Sequence, residues 1–173
     1  MLLAEDAKTD AGGIVLKADC ILLRDNIEKI KEQGISGLYI IHKEVRKEYK
    51  PLRGKTAVVV DDSLYIRHML AKVLYYMGVF VCGDAETGEL GLGLANKFKP
   101  DLLIMDIHLP GMNGIETIKK IKAKLPGTKF LAISSDKNKQ TIVDSIRAGA
   151  GDFMVKPLKW DQLESRIANL LLN

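Results

Sequence analysis

Cysteine is scarce. The 173-residue chain carries two, Cys20 and Cys82, far apart and without metal-ligand spacing. That excludes a disulfide framework and a zinc cluster, and it is the usage expected of reduced, buried thiols in a cytoplasmic protein. Long apolar runs are also absent, and none approaches the roughly 20 residues of a membrane span. Residues 1–6 have neither the basic start nor the apolar core of a signal peptide. Excess charge is small: the net +4 does not by itself point to nucleic acid. Basic residues gather at 43–55, six against two acidic, and at Lys119, Lys120, Lys122 and Lys124. Both groups read as solvated surface. No internal repeat or low-complexity segment appears. What remains is an ordinary globular composition, 47% hydrophobic and 28% charged, at a length for one domain and a small appendage.

The appendage is expected at residues 1–41. Short strands are predicted at 2–5, 14–17 and 38–41. A helix is predicted over 23–33, where Leu23, Ile27 and Ile30 have helical spacing and Gly34 suits the stop. Some forty residues make a thin core, so this unit is expected to dock. Residues 42–54 are polar and basic, with Pro51 and Gly54. They read as a short helix or an extended linker. From 55 to 173 strands and helices alternate. Strands are predicted at 56–60, 79–82, 101–105, 129–133 and 152–155, and helices at 63–77, 85–97, 113–125, 139–148 and 160–172. The first strand is apolar without a break, as a parallel strand covered on both faces must be. The first helix repeats apolar residues at three and four. Five such βα units predict an α/β fold, a five-stranded, parallel, doubly wound sheet, with a small N-terminal α+β extension.

In such sheets ligands bind where the strands end. The first strand ends at Asp61-Asp62, the third at Asp106, the fourth at Ser134-Ser135, and the fifth at Lys156-Pro157. Any one of these is an ordinary turn or surface residue; four at one end form a pattern. Clustered carboxylates repel and call for a cation, and a hard, oxygen-seeking ion such as Mg²⁺ suits few carboxylates. A carboxylate nucleophile can take a phosphoryl group as an acyl phosphate. Phosphoryl transfer then needs charge neutralised at the equatorial oxygens. Lys156 supplies a positive charge and Ser134 a hydroxyl. Pro157 either holds a cis bond that aims Lys156 or simply stops the strand.

These residues resemble a known family. Val58-Val59-Val60-Asp61-Asp62-Ser63, Arg67, Met105-Asp106, Leu109-Pro110-Gly111-Met112-Asn113-Gly114, Ser134-Ser135 and residues 149–157 look like a CheY-like response-regulator receiver domain. The resemblance spans about residues 55–173. It implies a flavodoxin/CheY-like fold, Asp106 as phosphoacceptor, and Lys156 as the phosphate lysine. It implies Mg²⁺ held by Asp62 directly, by Asp61 partly through water, by Asp106, and by the backbone carbonyl of His108. Ser134 and Phe153 are then the switch pair, and His108 and Asp136 tune the phosphoryl lifetime. The implied partners are a sensor histidine kinase or phosphotransfer protein, an output protein still unknown, and a second copy through the fourth helix, fifth strand and fifth helix. Arg147, Asp152, Glu164 and Arg166 are expected on that face. Neither nucleic acid nor membrane is an expected partner. No output enzyme or DNA-binding domain is expected after residue 173, and no enzyme activity beyond self-phosphorylation and self-dephosphorylation.

Residues 1–41 are similar to the small module ahead of HD-GYP cyclic-di-GMP phosphodiesterase domains. The similarity rests on Leu3-Ala4-Glu5-Asp6, Gly13, Leu16, Leu22, residues 27–31, Gly34-Ile35 and Leu38-Tyr39-Ile40. No His-Asp pair of the HD-GYP site follows, so no phosphodiesterase activity is implied. Two other readings compete: a receiver-shaped scaffold that is never phosphorylated, and a Mg²⁺-dependent phosphohydrolase with an Asp nucleophile. The latter family carries Asp-x-Asp on its first strand, whereas this chain has adjacent Asp61-Asp62.

Overall fold

The computed structural model describes residues 7–8, 14–16 and 47–173. Strands β1 (Ala7–Lys8) and β2 (Ile14–Leu16) pair antiparallel. The strands expected at 2–5 and 38–41 and the helix expected at 23–33 lie outside the described residues.

The rest is one parallel sheet, β3 (Thr56–Val60), β4 (Phe80–Ala85), β5 (Leu102–Asp106), β6 (Lys129–Ser134) and β7 (Asp152–Val155), in the order β4-β3-β5-β6-β7. Helices α1 (Leu64–Tyr76), α2 (Gly88–Phe98), α3 (Gly114–Lys124), α4 (Lys139–Ala148) and α5 (Trp160–Leu172) alternate with the strands. The fold is the doubly wound, CheY-like architecture expected from the sequence. Strand residues point alternately to two cores. Ala57, Val59, Leu102, Ile104, Leu131 and Ile133 pack with Leu70, Leu74, Leu163 and Ile167 of α1 and α5. Val58, Val60, Leu103, Met105, Phe130 and Ala132 pack with Ala95, Ile118, Ile121 and Ala148 of α2, α3 and α4.

Strand β4 runs three residues past the stretch predicted for it, and it contains a bulge. Its register jumps from Ala57↔Val81 to Val58↔Gly83, leaving Cys82 as the extra residue. Cys82 and Gly83 then face the same side: Cys82 packs in the α2 core, and a Cβ on Gly83 would press on Leu94 of α2. The Cys82 thiol donates to the Ala57 carbonyl. After the bulge the alternation is inverted, and Asp84 aligns with Val59, whose side chain faces α1.

A 3₁₀ turn, Lys47–Leu52, leads into β3. Leu52 is fully buried in the α1–α5 core, and Tyr49 donates from its hydroxyl to Glu164 Oε2 at 3.0 Å. A stretch whose composition reads as solvated thus adds a buried leucine, with Tyr49 packed against the same core.

Candidate functional site

Local rules place each acid. Beyond β3 the chain turns at Asp61-Asp62, and Ser63 caps α1 by accepting from the Ile66 N–H. Asp61 Oδ1 accepts from the Ser63 N–H at 2.9 Å. β5 ends on Asp106, and Asn113 caps α3 by accepting from the Glu116 N–H at 2.9 Å. Gly114 lets that helix start against the Asp106 carbonyl, where a Cβ would collide with the carbonyl oxygen. Glu89 at the start of α2 accepts from the Met112 N–H, bracing the intervening loop. Lys156 ends β7 and is joined to Pro157 by a cis peptide.

Asp61, Asp62 and Asp106 bring carboxylate oxygens within 4.8 Å of one another. Asp61 and Asp106 are buried, and Asp62 is exposed. Asp106 Oδ1 accepts from the His108 N–H at 3.0 Å, and Oδ2 accepts from Lys156 Nζ at 2.6 Å. The same ammonium lies 2.8 Å from Asp61 Oδ2, so one ammonium is shared between the two buried carboxylates. Burial pushes the Asp61 carboxyl above its ordinary value, against the lowering pull of Lys156 and the Ser63 N–H. Burial pulls Lys156 down, yet Asp106 and Asp61 outweigh it and leave the ammonium above an ordinary lysine. One ammonium therefore does not satisfy the cluster. Three carboxylates around a shared ammonium, with oxygens within reach of one ion, fit a small divalent cation bound by oxygen.

Ser134 is buried, and its Oγ accepts from the Asp136 N–H at 3.0 Å. Asp136 in turn accepts from the Asn138 N–H and the Thr141 hydroxyl. The Thr141 contact leads the causes that hold its carboxyl below the ordinary value, with a smaller pull from His108. His108 is exposed, and Phe153 is buried among the α2–α4 core residues. Every site residue expected from the sequence is therefore at the same end of the sheet or on the strand beside it.

Two residues with no role assigned from the sequence stand behind the acids. Arg67 and Asp84 are 3% and 2% exposed. Arg67 Nε donates to Asp84 Oδ2 at 2.9 Å, and Nη1 donates to the carbonyls of Asp61 at 2.9 Å and Asp62 at 3.3 Å. A signal for Arg67 existed: it precedes Leu70, Ala71 and Leu74 by three, four and seven, on the buried stripe of α1.

The face formed by α4, β7 and α5 differs from the expectation. Glu164 is 5% exposed, holding the Tyr49 hydroxyl and the Trp160 indole N–H, because a charged residue one turn into α5 faces the lead-in turn instead of solvent. Asp152 pairs with Arg166 within the chain. Val143 and Ile146 of α4 are exposed.

Among the described residues no helix is long and apolar enough to cross a membrane. The response regulator receiver domain pattern matches residues 57–168. The chemotaxis protein CheY of Thermotoga maritima is 37% identical over 106 residues, covering 61% of this chain and 88% of the relative. The receiver domain of NtrX from Brucella abortus superimposes with a TM-score of 0.63 at 33% identity, over 68% of this chain and 98% of that one. The CheX–CheY–BeF3–Mg²⁺ complex from Borrelia burgdorferi gives a TM-score of 0.68 at 24% identity, over 72% and 95%, a likeness of fold. Strand order, acidic pocket and these matches agree that the chain belongs to the response regulator receiver domain family of two-component signalling.

Proposed function

We propose that Asp106 accepts a phosphoryl group from a phosphohistidine on a sensor kinase or phosphotransfer protein, and that the protein signals by binding other proteins. The observation that carries this is the shared ammonium: Lys156 touches both buried aspartates, and Asp62 brings a third carboxylate within reach of the same ion. Asp61, Asp62, Asp106 and the His108 carbonyl would hold Mg²⁺, which would supply positive charge at the phosphoryl oxygens. The Asp106 carboxylate attacks phosphorus, the donor's P–N bond breaks, and an acyl phosphate forms. The His108 N–H holds one carboxylate oxygen and so orients the nucleophile. Lys156 is released from Asp106 to a phosphoryl oxygen. Ser134 exchanges its contact with the Asp136 N–H for a phosphoryl oxygen, and Phe153 follows it. His108 and Asp136 flank the route of the hydrolytic water and set the lifetime.

Output runs through the α4–β7–α5 face, where Val143 and Ile146 offer apolar contacts, either to a partner protein or to a second copy. Incubation with Mg²⁺ and acetyl phosphate tests the central claim. An intact-mass gain of one phosphoryl group, absent from Asp106→Asn, is expected. Multiple turnover of a phosphomonoester, or no mass gain, refutes it.

A further inference from the structure

We infer that Arg67 and Asp84 form a positioning unit for the cation pocket, assembled by the β4 bulge. This rests on the acidic cluster being the Mg²⁺ site proposed above. The oxygens of Asp61 show the logic. Its carbonyl accepts from Arg67 Nη1, and Oδ1 accepts from the Ser63 N–H. Only Oδ2 is left for the pocket. Its own N–H donates to the Ala85 carbonyl at 3.0 Å, so the backbone of Asp61 is held by the end of β4 at its N–H and by Arg67 of α1 at its carbonyl. The same guanidinium reaches the Asp62 carbonyl, so one planar group orients both members of the acidic pair.

A lone guanidinium there would repel a divalent cation. Asp84 cancels it, and the pair is nearly wholly buried, where a charge without its partner is costly. Asp84 reaches Arg67 only because of the bulge. In unbroken register β4 would align Asp84 with Val60, whose side chain enters the α2–α4 core. The extra residue, Cys82, moves it to Val59 and the α1 side. A one-residue insertion in one strand thus delivers the counter-charge for a cation binder on the next.

The discriminating variant is the double substitution Arg67→Met, Asp84→Leu. It leaves net charge unchanged and replaces a buried ion pair with apolar groups, a replacement folds commonly tolerate. Mg²⁺ affinity is read by isothermal calorimetry on the intact chain, beside the melting temperature. A positioning role predicts binding weakened about tenfold or more with the melt within a few degrees of wild type. Arg67→Lys keeps the charge but loses the fork, and it is expected to weaken binding likewise; it serves if the double variant does not fold. Wild-type Mg²⁺ affinity in either folded variant overturns the inference, whatever happens to the melt. A wild-type protein that binds no Mg²⁺ overturns the pocket assignment itself and this inference with it, whereas normal phosphoryl uptake with unweakened variants overturns the inference alone.

Discussion

Strand β5 carries an aspartate at each end, and the two are opposites. Asp101, just before the strand, accepts from Lys55 Nζ, the Thr56 N–H and the Thr56 hydroxyl at 2.9–3.1 Å. Burial raises its carboxyl, but those donors outweigh burial and hold it below the ordinary value. Asp106, at the other end, shares one ammonium with Asp61, whose carboxyl burial pushes up. One end of the strand is finished by its own chain. The other gathers three carboxylates around one ammonium, the place proposed for Mg²⁺ and the phosphoryl group. Satisfied and strained electrostatics thus stand at the two ends, with the four residues 102–105 between them.

The largest expected effect is the loss of chemistry at one end without loss of fold. Asp106→Asn abolishes phosphoryl uptake in the mass assay while leaving the circular dichroism melt near wild type. Next, Asp101→Ala costs about 1–3 kcal/mol in urea unfolding, since Thr56 and Lys55 lose their acceptor. Its phosphoryl uptake stays at the wild-type level; a fall in uptake with stability intact would erase the contrast. Asp61→Asn, without divalent cation, raises stability by on the order of 1 kcal/mol, because it removes a buried charge that burial disfavours. Added Mg²⁺ stabilises wild type but not this variant.

The smallest effect concerns pH, and the two ends have opposite signs. Asp101 titrates below its ordinary 3.8 in the fold. Its stabilisation is present above 3.8 and is lost as pH falls through the folded value. Asp61 titrates above its ordinary 3.8. Its contribution favours the fold below 3.8 and is lost as pH rises through the folded value. Urea midpoints between pH 3 and 7 should therefore climb less steeply with pH in Asp101→Ala than in wild type, and more steeply in Asp61→Asn. Parallel curves for all three proteins would show that neither carboxyl differs from the unfolded chain.

The sheet, its five helices and the acids at the strand ends were legible because they rest on short-range signals. Val58-Val59-Val60, the stripe of α1 and the Asn113 cap each declare their state within a few residues. What escaped depends on parity or on distant partners. Asp84 reads as a residue after a strand, since nothing local announces that Cys82 is an extra residue. Glu164 reads as an exposed charge, because among its donors are Tyr49, 115 positions away, and Trp160 one turn earlier. Leu52 reads as part of a basic connection, because one inward leucine makes no periodicity.

Trp160 is the only tryptophan in the chain, and its indole N–H is bonded to the carboxylate that also holds Tyr49. Its emission is thus an intrinsic optical probe of the seam where the chain enters the domain, with Tyr76 as a neighbouring ring. The fluorophore belongs to the α5 side of the molecule, outside the acidic pocket. A spectral change on phosphorylation would consequently measure transmission through the fold to the lead-in turn, separately from the binding event itself.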